Sequence, residues 1–263
     1  MKRSTFGILA ALAIFVGIGM TPMFAPRDIE KTPWGNFPGS PAWYAPVYEF
    51  DNEQGIDPFT TTALSSGTGA VTTDENLGVY TLSGAATTEN SGFQLQGDME
   101  TVSLNLGKKV LFMERLKGSD ATESEYFAGL SITDTTMLSG TGTLAIASVT
   151  MSDAIGFYKP DGQATYYGVI IRDSVLTSVG PFATSMADDT YLRLSFEIQM
   201  DGTTAGKGTV NFYMNNVQVG QLTSTTMPYD TEEILTPATA FVTGNNTGTK
   251  TAKVDYIGVA VER

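Results

Sequence analysis

The segment YLRLSFEIQM, residues 191–200, shows the clearest alternation of apolar and polar residues in the chain. Successive side chains of a β-strand point to opposite faces, so this pattern predicts a strand with one buried side and one polar side. The apolar positions are Leu192, Leu194, Phe196 and Ile198, and the polar positions are Arg193, Ser195, Glu197 and Gln199.

The next segment, GTVNFYMNNVQVGQL, repeats this pattern, with Val210, Phe212 and Met214 on one face. Between its two runs, Asn215-Asn216 predicts a two-residue hairpin turn, because asparagine tolerates positive φ. Further strand-like segments are KVLFMERL, EYFAGLSI, AIGFYK, YYGVIIR, TPATAFVT and KVDYIGVAVE. Many short strands separated by Gly-, Ser- and Thr-rich turns predict an all-β fold, an antiparallel two-sheet sandwich over residues 47–263.

The composition excludes several kinds of chemistry. The 263 residues include no His and no Cys, which removes Ser-His-Asp and Cys-His triads and zinc-thiolate sites. The net charge of −13 arises from 28 acidic and 15 basic residues, and such a chain repels nucleic-acid phosphates. We therefore expect no nucleic-acid partner and no cofactor.

Residues 1–46 form a separate N-terminal arm in our interpretation. The arm starts with basic residues and an apolar run, 6–20, which is typical of a secretory signal peptide. Cleavage after Ala25 would place Met23 where a small residue is preferred, and the run is short for a membrane span. We expect the arm to be retained, with a short apolar helix and no membrane contact.

After the apolar run comes KTPWGNFPGSPAWYAP, a proline-rich strap that holds both tryptophans of the chain. Aromatic side chains on a stiff, extended segment suit docking on another protein, because little chain entropy is left to lose. The alternative is a strap that folds back over its own domain. The residues expected to contact a partner are Phe6, Ile8, Leu9, Leu12, Ile14, Phe15, Trp34, Phe37, Trp43 and Tyr44.

An E-x-D-x-E motif at Glu49, Asp51 and Glu53 matches the spacing found in retaining β-glucanases on jelly-roll folds. The working carboxyls of such enzymes lie about 5–5.5 Å apart, whereas residues four apart on a strand are separated by roughly 13 Å. The motif also opens the body, and Gly55 and Pro58 end its strand at once. We favour a solvated strand end over a catalytic site, and the hydrolase stays an alternative.

Four pieces of the body, in this order, resemble the concanavalin A-like, laminin-G-like jelly-roll decoration proteins of tailed bacteriophages. They are FDN at 50–52, LFMERLKGSDATESEYFAGLSITDT at 111–135, AIGFYKPDGQATYYGVIIRDS at 154–174 and VDYIGVAVER at 254–263. The likeness runs from residue 48 to residue 263. It implies a jelly roll on the exterior of a virion and no enzymatic motif.

Two kinds of small-ligand site follow from the resemblance or from the composition. Laminin-G-like domains often hold Ca²⁺ through loop aspartates, but the turn aspartates here lack a ligand spacing, so turn capping is favoured. Five tyrosines at strand spacing suggest a sugar-stacking face or, alternatively, half-buried sheet residues. The aspartates are Asp51, Asp57, Asp161, Asp173, Asp188, Asp189 and Asp201, and the tyrosines are Tyr166, Tyr167, Tyr191, Tyr213 and Tyr256.

The sequence thus predicts a non-enzymatic capsid decoration or cement protein that attaches through its arm. Its expected partners are the major capsid protein and copies of itself, and we favour a trimer over a dimer. A glycan bound on the exposed face is a further expectation. The alternative is a secreted or cell-surface carbohydrate-binding module with a cleaved signal peptide.

Overall fold

The computed structural model describes residues 43–44, 47–49, 59–72, 79–98, 101–139, 149–229, 234–244 and 248–263. The predicted apolar helix and most of the strap, from Phe6 to Phe37, lie outside these residues. Over the described ranges, no helix has the length and apolar character that crossing a membrane requires.

The described strands form two antiparallel sheets. The nine-stranded sheet contains β1 (Trp43–Tyr44), β2 (Val47–Glu49), β4 (Thr68–Thr72), β5 (Val79–Ser83), β7 (Lys109–Gly118), β12 (Leu192–Met200), β13 (Gly208–Met214), β14 (Val217–Ser224) and β16 (Thr251–Glu262). The seven-stranded sheet contains β3 (Phe59–Leu64), β6 (Gly92–Gly97), β8 (Ser124–Ser131), β9 (Ala154–Lys159), β10 (Tyr167–Arg172), β11 (Val175–Val179) and β15 (Thr236–Thr243). The prediction of an all-β antiparallel sandwich is confirmed.

The hairpin formed by β13 and β14 lies at one edge of the nine-stranded sheet. The nine-stranded sheet runs β14-β13-β12-β7-β16-β5-β4, and β1 and β2 also pair with β16. The seven-stranded sheet runs β11-β10-β9-β8-β15-β6-β3. Asn215 and Asn216 have φ values of 50° and 68°, which confirms the two-residue turn between β13 and β14.

Aromatic side chains fill the space between the two sheets. The ring of Phe157, from the seven-stranded sheet, lies 5.2 Å from the ring of Phe212 and 6.4 Å from that of Phe196, centroid to centroid. Phe196 also stacks on Phe112 at 4.8 Å. Each buried ring removes a large apolar surface from water, and this burial stabilises the fold by about 1.5–3 kcal/mol per side chain. The apolar positions of residues 191–200 face this core, as the alternation predicts.

The seven-stranded sheet also buries apolar side chains on its outer face. Phe127, Tyr158 and Val169 point away from the inter-sheet core and are fully buried. They lie in a second cluster with residues of the connection between β8 and β9, which we call the covering segment (132–139 and 149–153). Its apolar members in that cluster are Met137, Leu138, Val149 and Met151. Strands β8, β9 and β15 are therefore buried on both faces.

Two buried glutamines on β6 hold the covering segment against this face. Gln94 donates from Nε2 to the carbonyl of Asp134 at 2.6 Å and accepts from the amide of Met137 at 3.0 Å. Gln96 donates to the carbonyl of Ile132 at 3.1 Å and accepts from the amide of Asp134 at 3.1 Å. Since buried backbone groups need partners, these side chains make the closed arrangement possible.

Candidate binding face

The outer face of β12, β13 and β14 presents a three-by-three arrangement of polar side chains, which we call the polar grid. Cross-strand partners share a face, so the pairing register defines its rows. The rows are Gln199–Thr209–Thr223, Glu197–Asn211–Gln221 and Ser195–Tyr213–Gln218. Ser195 at one corner is buried, whereas the other eight side chains are half-buried or exposed.

Three side-chain amides in the grid are linked by hydrogen bonds. Oδ1 of Asn211 accepts a hydrogen bond from Nε2 of Gln221 at 2.7 Å and another from Nε2 of Gln218 at 3.3 Å. We call these three residues the amide triad. In the next row, the hydroxyls of Thr209 and Thr223 are 3.2 Å apart and share a hydrogen bond. Hydrogen bonds therefore link five side chains of β13 and β14.

Glu197 is the only ionisable acid or base in the grid, apart from the phenol of Tyr213. Its carboxylate pairs with the ammonium of Lys109 on β7 at 2.9 Å. Beside the Gln199–Thr209–Thr223 row lies a depression of about 160 Å³, bounded on its far side by Asp201 and Lys207. The result is a nearly neutral patch on a chain of net charge −13.

The buried ionisable groups lie elsewhere and are enclosed. Glu114 on β7 points between the sheets, where its Oε1 accepts from the hydroxyls of Tyr126 at 3.0 Å and Thr239 at 3.1 Å. Burial raises the pKa of Glu114 to about 8. Lys159 at the end of β9 donates to the carbonyls of Ser124, Pro160 and Gln163. Burial lowers the pKa of Lys159 to about 8.

The tyrosines predicted at strand spacing divide into two groups. Tyr166 and Tyr256 are buried, and the hydroxyl of Tyr256 accepts a hydrogen bond from Arg193 at 3.0 Å. Tyr167, Tyr191 and Tyr213 are half-buried. The guanidinium of Arg115 lies 4.0 Å from the ring centroid of Tyr191. Tyr213, within the polar grid, is the one of the five that the structure places among the tied amides.

Two of the described turn aspartates accept hydrogen bonds from backbone amides. Asp188 accepts from the amide of Ala121 at 2.6 Å, and Asp201 accepts from the amides of Thr203 and Thr204 at 2.8 Å each. The hydrogen bonds from Thr203 and Thr204 hold the pKa of Asp201 well below its usual value. Asp51 and Asp57 lie outside the described residues. Among those that are described, no group of three or more Asp and Glu side chains is placed to hold a metal ion.

The structure covers the predicted arm contacts only at the end of the strap. The backbone of Trp43 pairs with that of Glu262, and Tyr44 pairs with Val261, so this part of the strap joins the chain's own β16. That the side chains of Trp43, Tyr44 and the other arm residues contact a partner stays a prediction. Glu49 pairs through its backbone with Tyr256, and Asp51 and Glu53 are outside the described ranges.

No protein-family model matches the sequence, and no curated protein matches it. The fold is similar to that of solved structures. An endo-1,3-β-glucanase from Streptomyces sioyaensis matches with a TM-score of 0.55 and 12% identity, over 86% of this chain and 99% of the glucanase. Peanut lectin matches with a TM-score of 0.54 and 10% identity, over 83% of this chain and 97% of the lectin.

A phage component has the same fold. The CBM2 module of an evolved Dit protein from Lactobacillus casei BL23 phage J-1 matches with a TM-score of 0.51 and 11% identity, over 84% of this chain and 98% of the module. These neighbours include an enzyme, a lectin and a phage-associated module. At such identities the likeness shows the fold alone: a jelly-roll sandwich of the kind found in lectins and glucanases.

The sequence predicts the strands of the polar grid but not the grid itself. The alternation in 191–200 predicts an outward polar face for β12, and that prediction is confirmed. Which residues of β14 stand beside Asn211 depends on a register shift between Phe212 and Tyr213. The two-residue turn sets the first two pairs, Met214 with Val217 and Tyr213 with Gln218. No sequence signal marks the shift that then pairs Phe212 with Gly220.

Proposed function

We propose that the chain is a non-enzymatic structural protein of a tailed-phage particle, a decoration protein on the capsid exterior. The sandwich points outward, and residues 1–46 attach it to the major capsid protein and to neighbouring copies. Enzymatic activity is absent in this proposal, and the acidic body keeps the displayed domain soluble.

The observation that carries the non-enzymatic part is the closed outer face of the seven-stranded sheet. The chain fills that face with its own Met137, Leu138, Val149 and Met151. The buried Glu114 is enclosed between the sheets, and its partners are hydroxyls of the core. A hydrolase needs two carboxyls facing an open cleft, and this part of the seven-stranded sheet is instead filled by apolar side chains of the covering segment.

The phage assignment has two supports. Three of the four pieces that resemble decoration proteins are neighbours in the fold, because residues 111–135 include parts of β7, which pairs with β16, and all of β8, which pairs with β9; the first piece, 50–52, lies outside the described residues. The phage Dit module has this fold with 98% of its length matched. The end of the arm joins the sandwich where β1 and β2 pair with β16.

The test is binding to expanded heads of the phage that carries the gene. The full chain should cosediment with such heads, and a full chain with Leu9→Asp and Leu12→Asp should lose most of its occupancy. Gln163→Ala, in an exposed loop between β9 and β10, is the matched control and should bind fully. Full occupancy by the Leu9/Leu12 variant would contradict attachment through the arm.

The second candidate is a secreted or cell-surface carbohydrate-binding module, and the polar grid is the observation that favours it. The two candidates differ at the N-terminus. Mass spectrometry of the mature protein should find Met1 retained on a virion protein, whereas a start near Met20 or Pro26 would support secretion. A β-glucan hydrolase is the weaker alternative. It predicts release of reducing sugar that disappears in Glu49→Gln.

A further inference from the structure

We propose that the polar grid binds an uncharged glycan, with the amide triad supplying hydrogen bonds and the ring of Tyr213 an apolar contact. This inference adds a ligand site to the displayed domain. It holds equally for a domain on a particle and for a secreted one, so it does not depend on how the chain is attached.

The amide triad has hydrogen-bonding capacity left for a ligand. Because Oδ1 of Asn211 accepts from both glutamines, each glutamine retains its Oε1 acceptor and Asn211 retains its Nδ2 donor. None of these three groups bonds to another side chain in the described part of the protein. A sugar hydroxyl both donates and accepts, so adjacent donors and acceptors suit it.

The triad is also ordered in advance. Fixing a flexible side chain on binding costs about 0.5–1.5 kcal/mol, and here the three amides already constrain one another. The Thr209–Thr223 hydrogen bond fixes the neighbouring row in the same way. A weak ligand that makes only a few polar contacts therefore loses less of its binding energy to ordering the site.

Charge selects the class of glycan. The only charged side chain in the grid, Glu197, is neutralised by Lys109 at 2.9 Å, while the chain as a whole has a net charge of −13. An acidic polysaccharide would be repelled by the body and would find no free cation in the grid. A neutral glycan is not repelled, and it pairs with amides and hydroxyls.

The size of the grid fits an oligosaccharide. Alternate residues of a strand are about 6.8 Å apart, so Thr209, Asn211 and Tyr213 span about 14 Å along β13. Three neighbouring strands extend about 10 Å across. Tyr213 is half-buried at one end, where an aromatic ring gives the apolar contact that the amides lack. The depression of about 160 Å³ lies at the other end.

The experiment is a glycan array probed with the full-length labelled chain, followed by titration calorimetry with the best neutral oligosaccharide. We expect binding to neutral glycans and none to uronic-acid polymers such as polyglucuronate. Asn211→Asp is the decisive variant. It keeps an oxygen for both glutamine donors but replaces the outward donor with an acceptor, and we expect affinity to fall about tenfold.

Matched variants separate the site from the fold. Tyr213→Ala should also weaken binding, whereas Gln163→Ala, an exposed amide on the other sheet's loops, should not change it. The proposal is overturned if no neutral glycan binds at millimolar concentration, if acidic glycans bind better, or if Asn211→Asp binds as well as the unmodified chain. It is also overturned if analytical ultracentrifugation finds that the unmodified chain is an oligomer and that Asn211→Asp is a monomer. The grid would then be a contact between copies of the chain.

The outcome is independent of the capsid test. Loss of glycan binding with full head occupancy would leave the structural role intact, and the reverse result would leave the glycan site intact.

Discussion

The outer faces of the two sheets differ although the sheets are built alike. On the seven-stranded sheet, Phe127 and Tyr158 lie beneath the covering segment and are fully buried. On the nine-stranded sheet, β13 and β14 present Asn211, which is half-buried, and Gln218 and Gln221, which are exposed. An antiparallel sheet commonly packs one face and solvates the other. The nine-stranded sheet does so at this edge, and the seven-stranded sheet does not.

Glutamine has different roles on the two faces. Gln94 and Gln96 are buried and form hydrogen bonds with the backbone of the covering segment. Gln218 and Gln221 are exposed and bond to Asn211, which leaves their oxygens available. The same residue type anchors a covering segment on one face and stays at the surface on the other. A glutamine on these sheets is therefore buried or exposed according to whether the covering segment packs on it.

The largest expected effect is the loss of packing on the closed face. Phe127→Ala should destabilise the protein by about 3–5 kcal/mol, since it removes a fully buried ring. Urea unfolding measures the change, with Thr223→Ala on the open face as a control expected within about 0.5 kcal/mol. A cost below 1 kcal/mol for Phe127→Ala would mean that the outer face is not a packed core.

A second test uses the carboxyl that lies between the two sheets. The pKa of Glu114 is raised from 4.5 to about 8, so the folded protein retains a proton that the unfolded chain releases. The resulting stability is fully present below about pH 4.5 and is lost as the pH rises through about 8, on the order of a few kcal/mol.

Glu114→Gln removes this titration while keeping an oxygen for Tyr126 and Thr239. Its melting temperature should therefore change less between pH 5 and pH 8 than that of the unmodified protein, and the variant should be relatively more stable at pH 8. If the melting temperatures of the two proteins changed equally between pH 5 and pH 8, the raised pKa of Glu114 would be contradicted.

The sequence predicts some of these features and not others. The strand faces of 191–200 and the Asn215-Asn216 turn follow from residue type and spacing, because a strand repeats every two residues. The closed face does not follow. EYFAGLSI and AIGFYK contain apolar residues on both faces, a pattern that shows burial on two sides but not what provides the cover.

The polar grid lies between these cases. Its β12 members follow from the alternation, and the turn brings β14 beside β13. The bulge then places Gln221, rather than Gly220, opposite Asn211. A one-residue shift turns side chains to the other face, so the sequence alone cannot identify the amide triad.

The third prediction concerns the glutamines of the closed face. Gln94→Ala should cost about 1–3 kcal/mol, because the carbonyl of Asp134 and the amide of Met137 lose buried partners. Hydrogen exchange should rise at residues 134–138 more than in the inter-sheet core. Gln221→Ala on the open face is the matched control and should leave stability within about 0.5 kcal/mol. Equal effects of the two variants would remove the contrast between the faces.

The smallest effect is expected at the turn that sets the register of the open face. Asn216 has a φ of 68°, a conformation that disfavours residues with a Cβ atom except where a short polar side chain assists. Asn216→Ala should therefore cost about 1 kcal/mol, whereas Asn216→Gly should cost nothing or stabilise slightly. Both variants should bind the neutral glycan as the unmodified chain does, because the buried ring of Phe212 also holds the strand in place. If Asn216→Ala weakened glycan binding without unfolding the hairpin, the turn alone would be setting the positions of the amides.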